Sequence, residues 1–407
     1  MQPPVLVVFS HLRWGFVFQR PQHLLSRLAG RWRILFVEEP KRGGGQARLE
    51  VREVKPGLTV LVPHTPVNAA GFHDDQIVAV ELLLRKHLEK HDLHVDAAWL
   101  YTPMALPLAH ALNAGCLVYD CMDELSAFLG APRQLRQRES ALMQQAALVL
   151  TGGPSLYEAR KHLHPNIHCF CSSVDADHFS PASLDSGSAL AQRARELQGD
   201  LARPRLGFFG VIDERLDIGL VDAVAERHPE WQLVMVGPVA KIDPASLPKR
   251  ANIRWLGMQP YELLPYLLAG WDVALMPFAL NESTRFISPT KTLEYMAGYQ
   301  PVVSTPIRDV ESLYSPTVIT APASEGFIEA CEQLLDEDSQ ARSLRLIEMA
   351  KLVARHSWHD TAEAVHRLLA QAVQAAPGAS RRGLTAPAQE AVMEVQTLSV
   401  VPAAARA

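Results

Sequence analysis

The sequence predicts an α/β protein built as two consecutive domains. Three observations carry that prediction. At 407 residues the chain is longer than one hydrophobic core normally serves. Short apolar runs alternate with longer amphipathic segments, the signature of βαβ units and a parallel sheet. The alternation breaks off near residue 182 and restarts at "RLGFFG".

In the first half, "VLVVFS", "RILFVEE", "LTVLVP", "AAWLY", "CLVYD" and "ALVLTG" read as strands. Between them Gln19–Ala29, Asp74–Lys90 and Gln134–Ala146 carry helical spacing. A stretch rich in Ala, Ser, Arg and Asp, residues 182–204, reads as a linker or a peripheral helix. The second half repeats the pattern, with strands at "LGFFGV", "QLVMVG", "NIRWLG", "DVALMP" and "PVVST". Its helices are expected at Leu216–His228, Pro260–Ala269 and Pro289–Ala297, followed by helices from Ser324 to about Gln374. The domains are therefore 1–181 and 205–375, with a tail at 376–407 whose Pro, Gly and Ala content predicts disorder. The last helix has the option of packing back on the first domain.

Composition narrows the function classes. Hydrophobic residues make up 48% and charged residues 20%, as in a globular protein, and the net charge of −5 argues against a general nucleic-acid binder. Five cysteines, an odd number without a CxxC pair, suggest neither a disulfide framework nor a zinc site, so a reducing cytoplasm is expected. The start, "MQPPVLVVFS", lacks the basic lead and apolar length of a signal peptide, and no run of about 18 apolar residues predicts a membrane span. Charge is uneven, however. Residues 1–60 hold ten Lys and Arg against four Glu, which suits either a solvated face or peripheral contact with the anionic inner face of a membrane.

The most informative stretch is "SPTKTLEYMAGYQPVVSTP", Ser288–Pro306. Ser288 fits an N-cap and Pro289 the first helical position. Thr290 and Lys291 follow, and Glu294 shares a face with Lys291. A helix start with a lysine suits an anion such as phosphate, and a glutamate one turn deeper suits two neighbouring hydroxyls, as a ribose presents. The plain alternative is a surface Lys–Glu pair on a capped helix. Ligands of open α/β sheets sit beyond the carboxyl ends of the strands, so two such domains place the site in the cleft between them. Arg215, just after "LGFFG", would flank the same phosphate-rich ligand as Lys291.

Fingerprints of other enzymes are missing. There is no GxGxxG after the first strand, no GxxxxGK[ST], no GxSxG and no HExxH. "DAD" at Asp175–Asp177 has the form of a metal–diphosphate motif, but its place at a domain exit suits turn bonds to its own backbone. No metal and no cofactor are expected.

Four stretches, "RWGFVFQRPQHLLSRLA" (13–29), "VYDCMDELSAF" (118–128), "SSVDADHF" (172–179) and "NESTRFISPTKTLEYMAGYQPVVST" (281–305), together resemble nucleotide-sugar glycosyltransferases of the GT-B fold, near family 4. The narrower likeness is to bacterial cell-surface polysaccharide enzymes of the teichuronic-acid type. That resemblance implies two Rossmann-like domains with parallel sheets facing across a cleft. It implies a hexosyltransferase taking a nucleoside-diphosphate sugar, UDP-linked at family level, to a saccharide or lipid-linked saccharide acceptor. In the family pattern Gly210 matches the glycine that ends a donor-domain strand, Arg215 takes the basic role and Glu294 the ribose-holding glutamate. The family's first glutamate falls on Phe286 and its usual arginine on Val211, so the sugar-contacting side departs from the pattern. Asn281, in "NEST", is the candidate for replacement contacts to the sugar.

For a base on the acceptor hydroxyl, Asp120 and Asp123 follow "CLVY" and His11 closes the first strand. Arg13, Trp14 and Arg20 are the acceptor-side candidates; with Gln22 they lie on or just after the following loop and suit sugar and phosphate by stacking and bidentate bonds. Two other classes compete with a transferase: a GT-B sugar-nucleotide epimerase, and a non-catalytic sugar-nucleotide binder that regulates or scaffolds a polysaccharide complex.

Overall fold

Two parallel sheets dominate the computed structural model, which describes residues 2–322 and 324–376. The expected tail lies, from Pro377 onward, outside the described residues. The first sheet contains β1 (Val5–Ser10), β2 (Arg33–Glu38), β3 (Lys41–Arg42), β4 (Arg48–Lys55), β5 (Leu58–Thr65), β6 (Ala97–Leu100), β7 (Leu117–Cys121), β8 (Leu148–Thr151) and β9 (Ile167–Cys169). Their order is β3-β5-β2-β1-β6-β7-β8-β9, with β4 paired antiparallel on β5. The second sheet contains β10 (Arg205–Phe209), β11 (Gln232–Val236), β12 (Ile253–Gly257), β13 (Val273–Met276), β14 (Val302–Ser304) and β15 (Ile319–Thr320). It is parallel, in the order β12-β11-β10-β13-β14-β15.

Period-2 alternation explains why these strands are apolar throughout. Val5, Val7 and Phe9 of β1 join one core, while Leu6 and Val8 join the core on the opposite face. A parallel sheet is covered on both faces, so both sets must be apolar. In the second sheet Leu206 and Phe208 enter one core and Phe209 the other.

Several details refine or depart from the sequence expectation. Strand β4, "RLEVREVK", is largely exposed at an edge and carries no apolar run to announce it. Residues 182–204 contain a helix, Ala189–Gln198, whose Ala194 is buried in the second domain's core. Helix Lys291–Ala297 begins two residues late. Ser288 is not its cap, because the Ser288 carbonyl instead accepts a hydrogen bond from Ser172 Oγ at 2.8 Å.

The final helix, Trp358–Ala375, returns to the first sheet. Trp358, Ala362, Val365, Leu369, Ala372 and Val373 repeat at helical spacing and are buried beside Leu24, Leu25 and Leu28. The two chain crossings meet in a β-bridge between Val174 and Ser357. Further contacts tie the halves. Asp309 Oδ1 accepts from the Ser155 N–H at 3.0 Å, and Phe18 stacks on Tyr261 with ring centroids 4.4 Å apart. Phe286 packs against the first domain's core. Among the described residues no helix is long and apolar enough to cross a membrane.

Because Leu369 anchors the returning helix, Leu369→Ala should lower unfolding free energy by about 2–5 kcal/mol, the usual range for a buried Leu truncation. Urea unfolding followed by tryptophan fluorescence checks this; a shift under about 0.5 kcal/mol would mean the helix contributes little to the first domain.

Candidate functional site

The cleft lies where the carboxyl ends of both sheets meet. Its larger pocket, about 460 Å³, is lined from the first domain by Trp14–Gln19 and from the second by Gly210, Arg215, Tyr261, Thr290, Lys291 and Glu294. A smaller adjoining pocket, about 120 Å³, is lined by Arg20, Asp123, Ser172, Arg215, Ser288, Thr290 and Lys291, among others.

Backbone geometry at the end of β10 makes this space. Gly210 has φ +146°, and a Cβ there would stand 2.9 Å from Lys291 Cε. A side chain would therefore displace the lysine, which is why glycine ends the strand. Tyr295, on the same helix as Lys291, accepts the Phe209 N–H on its hydroxyl at 2.9 Å and locks helix to strand.

Lys291 and Glu294 are not a surface pair. The Lys291 ammonium lies 5.4 Å from the Phe208 ring centroid and 5.1 Å from that of Phe278. Burial, assisted by Arg215, lowers its pKa, while Glu294, Asp213 and Asp123 pull the other way. Glu294 is 6% exposed, and burial raises its carboxyl pKa against the opposing pull of Lys291. The helix that carries them has seven residues, so the positive field in the cleft comes from side chains more than from its end.

Arg215 is held in place by Asp213, with Nε donating to Oδ1 at 3.0 Å and Nη2 to Oδ2 at 2.7 Å. Burial lowers the arginine's pKa, but Asp213 outweighs it and keeps the guanidinium charged. Asp213 escaped the sequence reading, although a carboxylate two residues before a cleft arginine is a legible signal. The aromatic pair Phe18 and Tyr261 escaped it too, because its members are remote in sequence.

The three candidate bases separate clearly. Asp123 lines the smaller pocket, and burial, with a contribution from Asp213, pushes its carboxyl up to about 6 while Arg215, Arg20 and Lys241 restrain it. Asp120 does not face the cleft as expected. It is fully buried and paired with Arg20, with Nε–O distances of 3.0 and 3.2 Å, because as a residue of β7 it points into the sheet's flank. His11 lines neither pocket; burial and Lys241 push it down to about 4, leaving the ring neutral near pH 7.

Other expectations need correction. Arg13 does not reach into the cleft: it donates to Glu38 Oε2 at 3.1 Å and to the Glu39 carbonyl, fixing the loop whose Trp14 lines the larger pocket. Gln22 does similar work, donating to the carbonyls of Trp14 and Val17 at 3.0 and 3.2 Å. Asn281 is exposed and lines neither pocket. Its side chain accepts from Ser283 and donates to the Glu214 carbonyl, so "NEST" is a self-bonded turn. Phe286 points away to the first domain. Asp175 forms an ion pair with Arg27 at 2.8 Å rather than a turn bond. Of the ten early cations, Arg13, Arg20, Arg27 and Arg31 are taken by carboxylates; of the other six, Arg33 is on β2 and five are on β3 and β4, where Glu50 and Glu53 partly offset them.

Comparison with known proteins agrees with this geometry. Residues 203–337 match the family described as "Glycosyl transferases group 1". TuaH of Bacillus subtilis (strain 168), assigned as a glycosyltransferase of teichuronic acid biosynthesis, is 24% identical over 258 residues, 58% of this chain and 63% of that protein. The chain thus spans less than two thirds of that relative's length. Among solved structures, sucrose-phosphate synthase from Thermosynechococcus elongatus superposes with a TM-score of 0.69 at 15% identity, covering 92% of this chain and 100% of that one. Anabaena HepE in complex with UDP-glucose gives a TM-score of 0.66 at 14% identity, covering 90% and 99%. The chain therefore has the GT-B fold, and its second domain carries the sequence pattern of the glycosyl transferases group 1 family.

Proposed function

We propose that the chain is a glycosyltransferase that moves a sugar from a nucleoside-diphosphate donor to an acceptor hydroxyl. One observation carries this reading: Gly210, Arg215, Lys291 and Glu294 converge on a single cleft pocket that the first domain closes with Trp14–Gln19. Arg215 and Lys291 supply the countercharge for a diphosphate, and no metal or cofactor enters the proposal. Glu294 is placed to bind the ribose hydroxyls. A UDP-linked sugar is the donor proposed, since Anabaena HepE was solved with UDP-glucose. Cell-surface polysaccharide synthesis is supported by the likeness to TuaH. The acceptor proposed is a saccharide or lipid-linked saccharide at the inner membrane face, where Lys41, Arg42, Arg48, Arg52 and Lys55 on edge strands offer peripheral contact.

In the proposed step the bond from the sugar's anomeric carbon to the distal phosphate oxygen breaks, and its electron pair stays on the diphosphate. The acceptor oxygen bonds to the anomeric carbon, and its proton passes to Asp123. Charge grows on the diphosphate as the bond breaks, so fixed cations there stabilise the transition state more than the ground state.

A thermal-shift panel of UDP-, GDP- and ADP-linked sugars tests the donor; a ligand at 100 times its Kd adds about 2.7 kcal/mol. If none of them stabilises the protein, the donor reading is wrong. Lys291→Ala should slow transfer by about 2.7–4 kcal/mol of barrier while leaving the fold intact, as for loss of one preorganised donor. Turnover within twofold of wild type would remove Lys291 from the chemistry.

The pH profile is a separate check. Asp123 must be ionised to accept a proton, so kcat/KM should fall on the acid side as pH drops through about 6. Lys291 must be protonated, and its lowered pKa brings the alkaline fall earlier than for an ordinary lysine. Asp123→Asn should abolish the acid limb together with most activity; an unchanged limb would assign the base elsewhere.

A further inference from the structure

Arg20 and Asp120, expected on the acceptor side and as a base, form one buried unit. Arg20 is 5% exposed. Its Nε donates to both Asp120 oxygens and its Nη1 to the Phe170 carbonyl at 2.8 Å. Nη2 is buried and has no partner among the described residues. Buried donors are rarely left unpaired, so this one calls for an occupant. Arg20 lines the smaller pocket beside Asp123, Arg215 and Lys291. At about 120 Å³ that pocket has the volume of about four waters, suited to a phosphate group and too small for a whole sugar nucleotide.

Arg215 is held comparably but not identically: Asp213 takes its Nε and Nη2, whereas Asp120 takes only the Nε of Arg20. Each domain thus presents one aspartate-held arginine to the same pocket, with Lys291 beside them. Arginine suits this task because its planar fork can bond a carboxylate on one edge and an anion on another.

Resting on the transferase reading above, we propose that Arg20 is a ligand of the donor's distal phosphate and that Asp120 is its positioning residue. The first domain then contributes directly to leaving-group stabilisation. When the anomeric bond breaks, the electron pair settles on the phosphate oxygen that Arg20 Nη2 bonds. Because Arg215 and Lys291 come from the other domain, the full cation set exists only with both domains at the cleft. Asp120 holds the guanidinium at its angle and neutralises it before the donor arrives.

The competing explanation is a buried ion pair that only secures the first helix to β7. Arg20→Met with Asp120→Leu separates the two, since apolar replacement of a whole buried pair is often neutral for folding. Calorimetry on this double variant and on wild type would give Kd for UMP and UDP, with the AMP/ADP and GMP/GDP pairs alongside. The expected result is a preference for diphosphate over monophosphate that falls about tenfold in the double variant, with monophosphate affinity kept within about twofold. Arg20→Lys keeps the charge and loses the fork; its kcat for UDP-glucose hydrolysis should fall at nearly unchanged KM, and it decides the matter if the double variant does not fold. An unchanged diphosphate preference, or a Lys variant with wild-type kcat, would overturn the assignment of Arg20 while leaving the transferase reading standing. A wild-type protein that binds none of these nucleotides would overturn both.

Discussion

A guanidinium taken out of water costs several kcal/mol unless a carboxylate or comparable acceptors hold it, and the cleft is organised around that constraint. Arg20 is buried and Arg215 partly buried at the meeting of the sheets, and each is gripped by an aspartate, Asp120 or Asp213. The grip fixes where the remaining N–H groups point. Lys291 is handled differently, between the rings of Phe208 and Phe278, where its charge is only weakly compensated. The outcome is two permanent cations of fixed direction and one whose charge responds to what enters the pocket. Gly210 belongs to the same design, because only a residue without a Cβ leaves the lysine its place.

Most of the fold was legible because it follows from burial on two faces. Every strand that lies inside a sheet is a short apolar run, and its neighbours alternate between two cores, as β1 shows with Val5, Val7 and Phe9 against Leu6 and Val8. Strand β4 was invisible for the converse reason: at an edge, "RLEVREVK" buries almost nothing. The helix start at Ser288 was misjudged because "SPTK" satisfies local capping rules, while a contact 116 residues away takes the Ser288 carbonyl instead. At the site, Gly210, Arg215, Thr290, Lys291 and Glu294 were legible as a pattern at the ends of strands. Asp120 and Asp123 were not separable by eye, since both follow "CLVY". What divides them is that Asp120 is still paired within β7, opposite Leu150, and Asp123 is past the strand's end. The partner that claims Asp120 sits 100 residues earlier, where no local signal connects them.

Phe286 shows how a departure at one site serves another. The resemblance places a glutamate of the donor pocket at this position, yet the phenyl ring packs on the first domain's core. Two residues on, the Ser288 carbonyl and the Thr290 hydroxyl meet Ser172, the former at 2.8 Å and the latter at 3.2 Å. The loop before helix Lys291–Ala297 is therefore pinned across the cleft. A carboxylate at 286 would forgo the phenyl ring's apolar contact and join a hollow already lined by Glu124 and Glu139, both paired with Arg160. Docking the domains and contacting the sugar are competing uses of that position, and this chain has taken the first.

The two arginines stay charged, whereas Asp123, Glu294 and Lys291 lean toward neutrality. Burial raises Asp123 and Glu294 and lowers Lys291, because each charged form loses hydration there. A diphosphate entering the pocket changes the balance in a definite direction. Its negative charge favours protonated Lys291 and disfavours ionised Glu294 and Asp123, so binding and proton uptake are linked. In the proposed reaction the same field would work against Asp123 as a base until the arginines have neutralised the phosphates. That gives Arg20 and Arg215 a second consequence beyond the leaving group: with their charge on the diphosphate, Asp123 keeps a pKa at which it can still be ionised near neutral pH. In the proposed reaction, leaving-group stabilisation and base readiness therefore draw on the same pair of aspartate-held arginines.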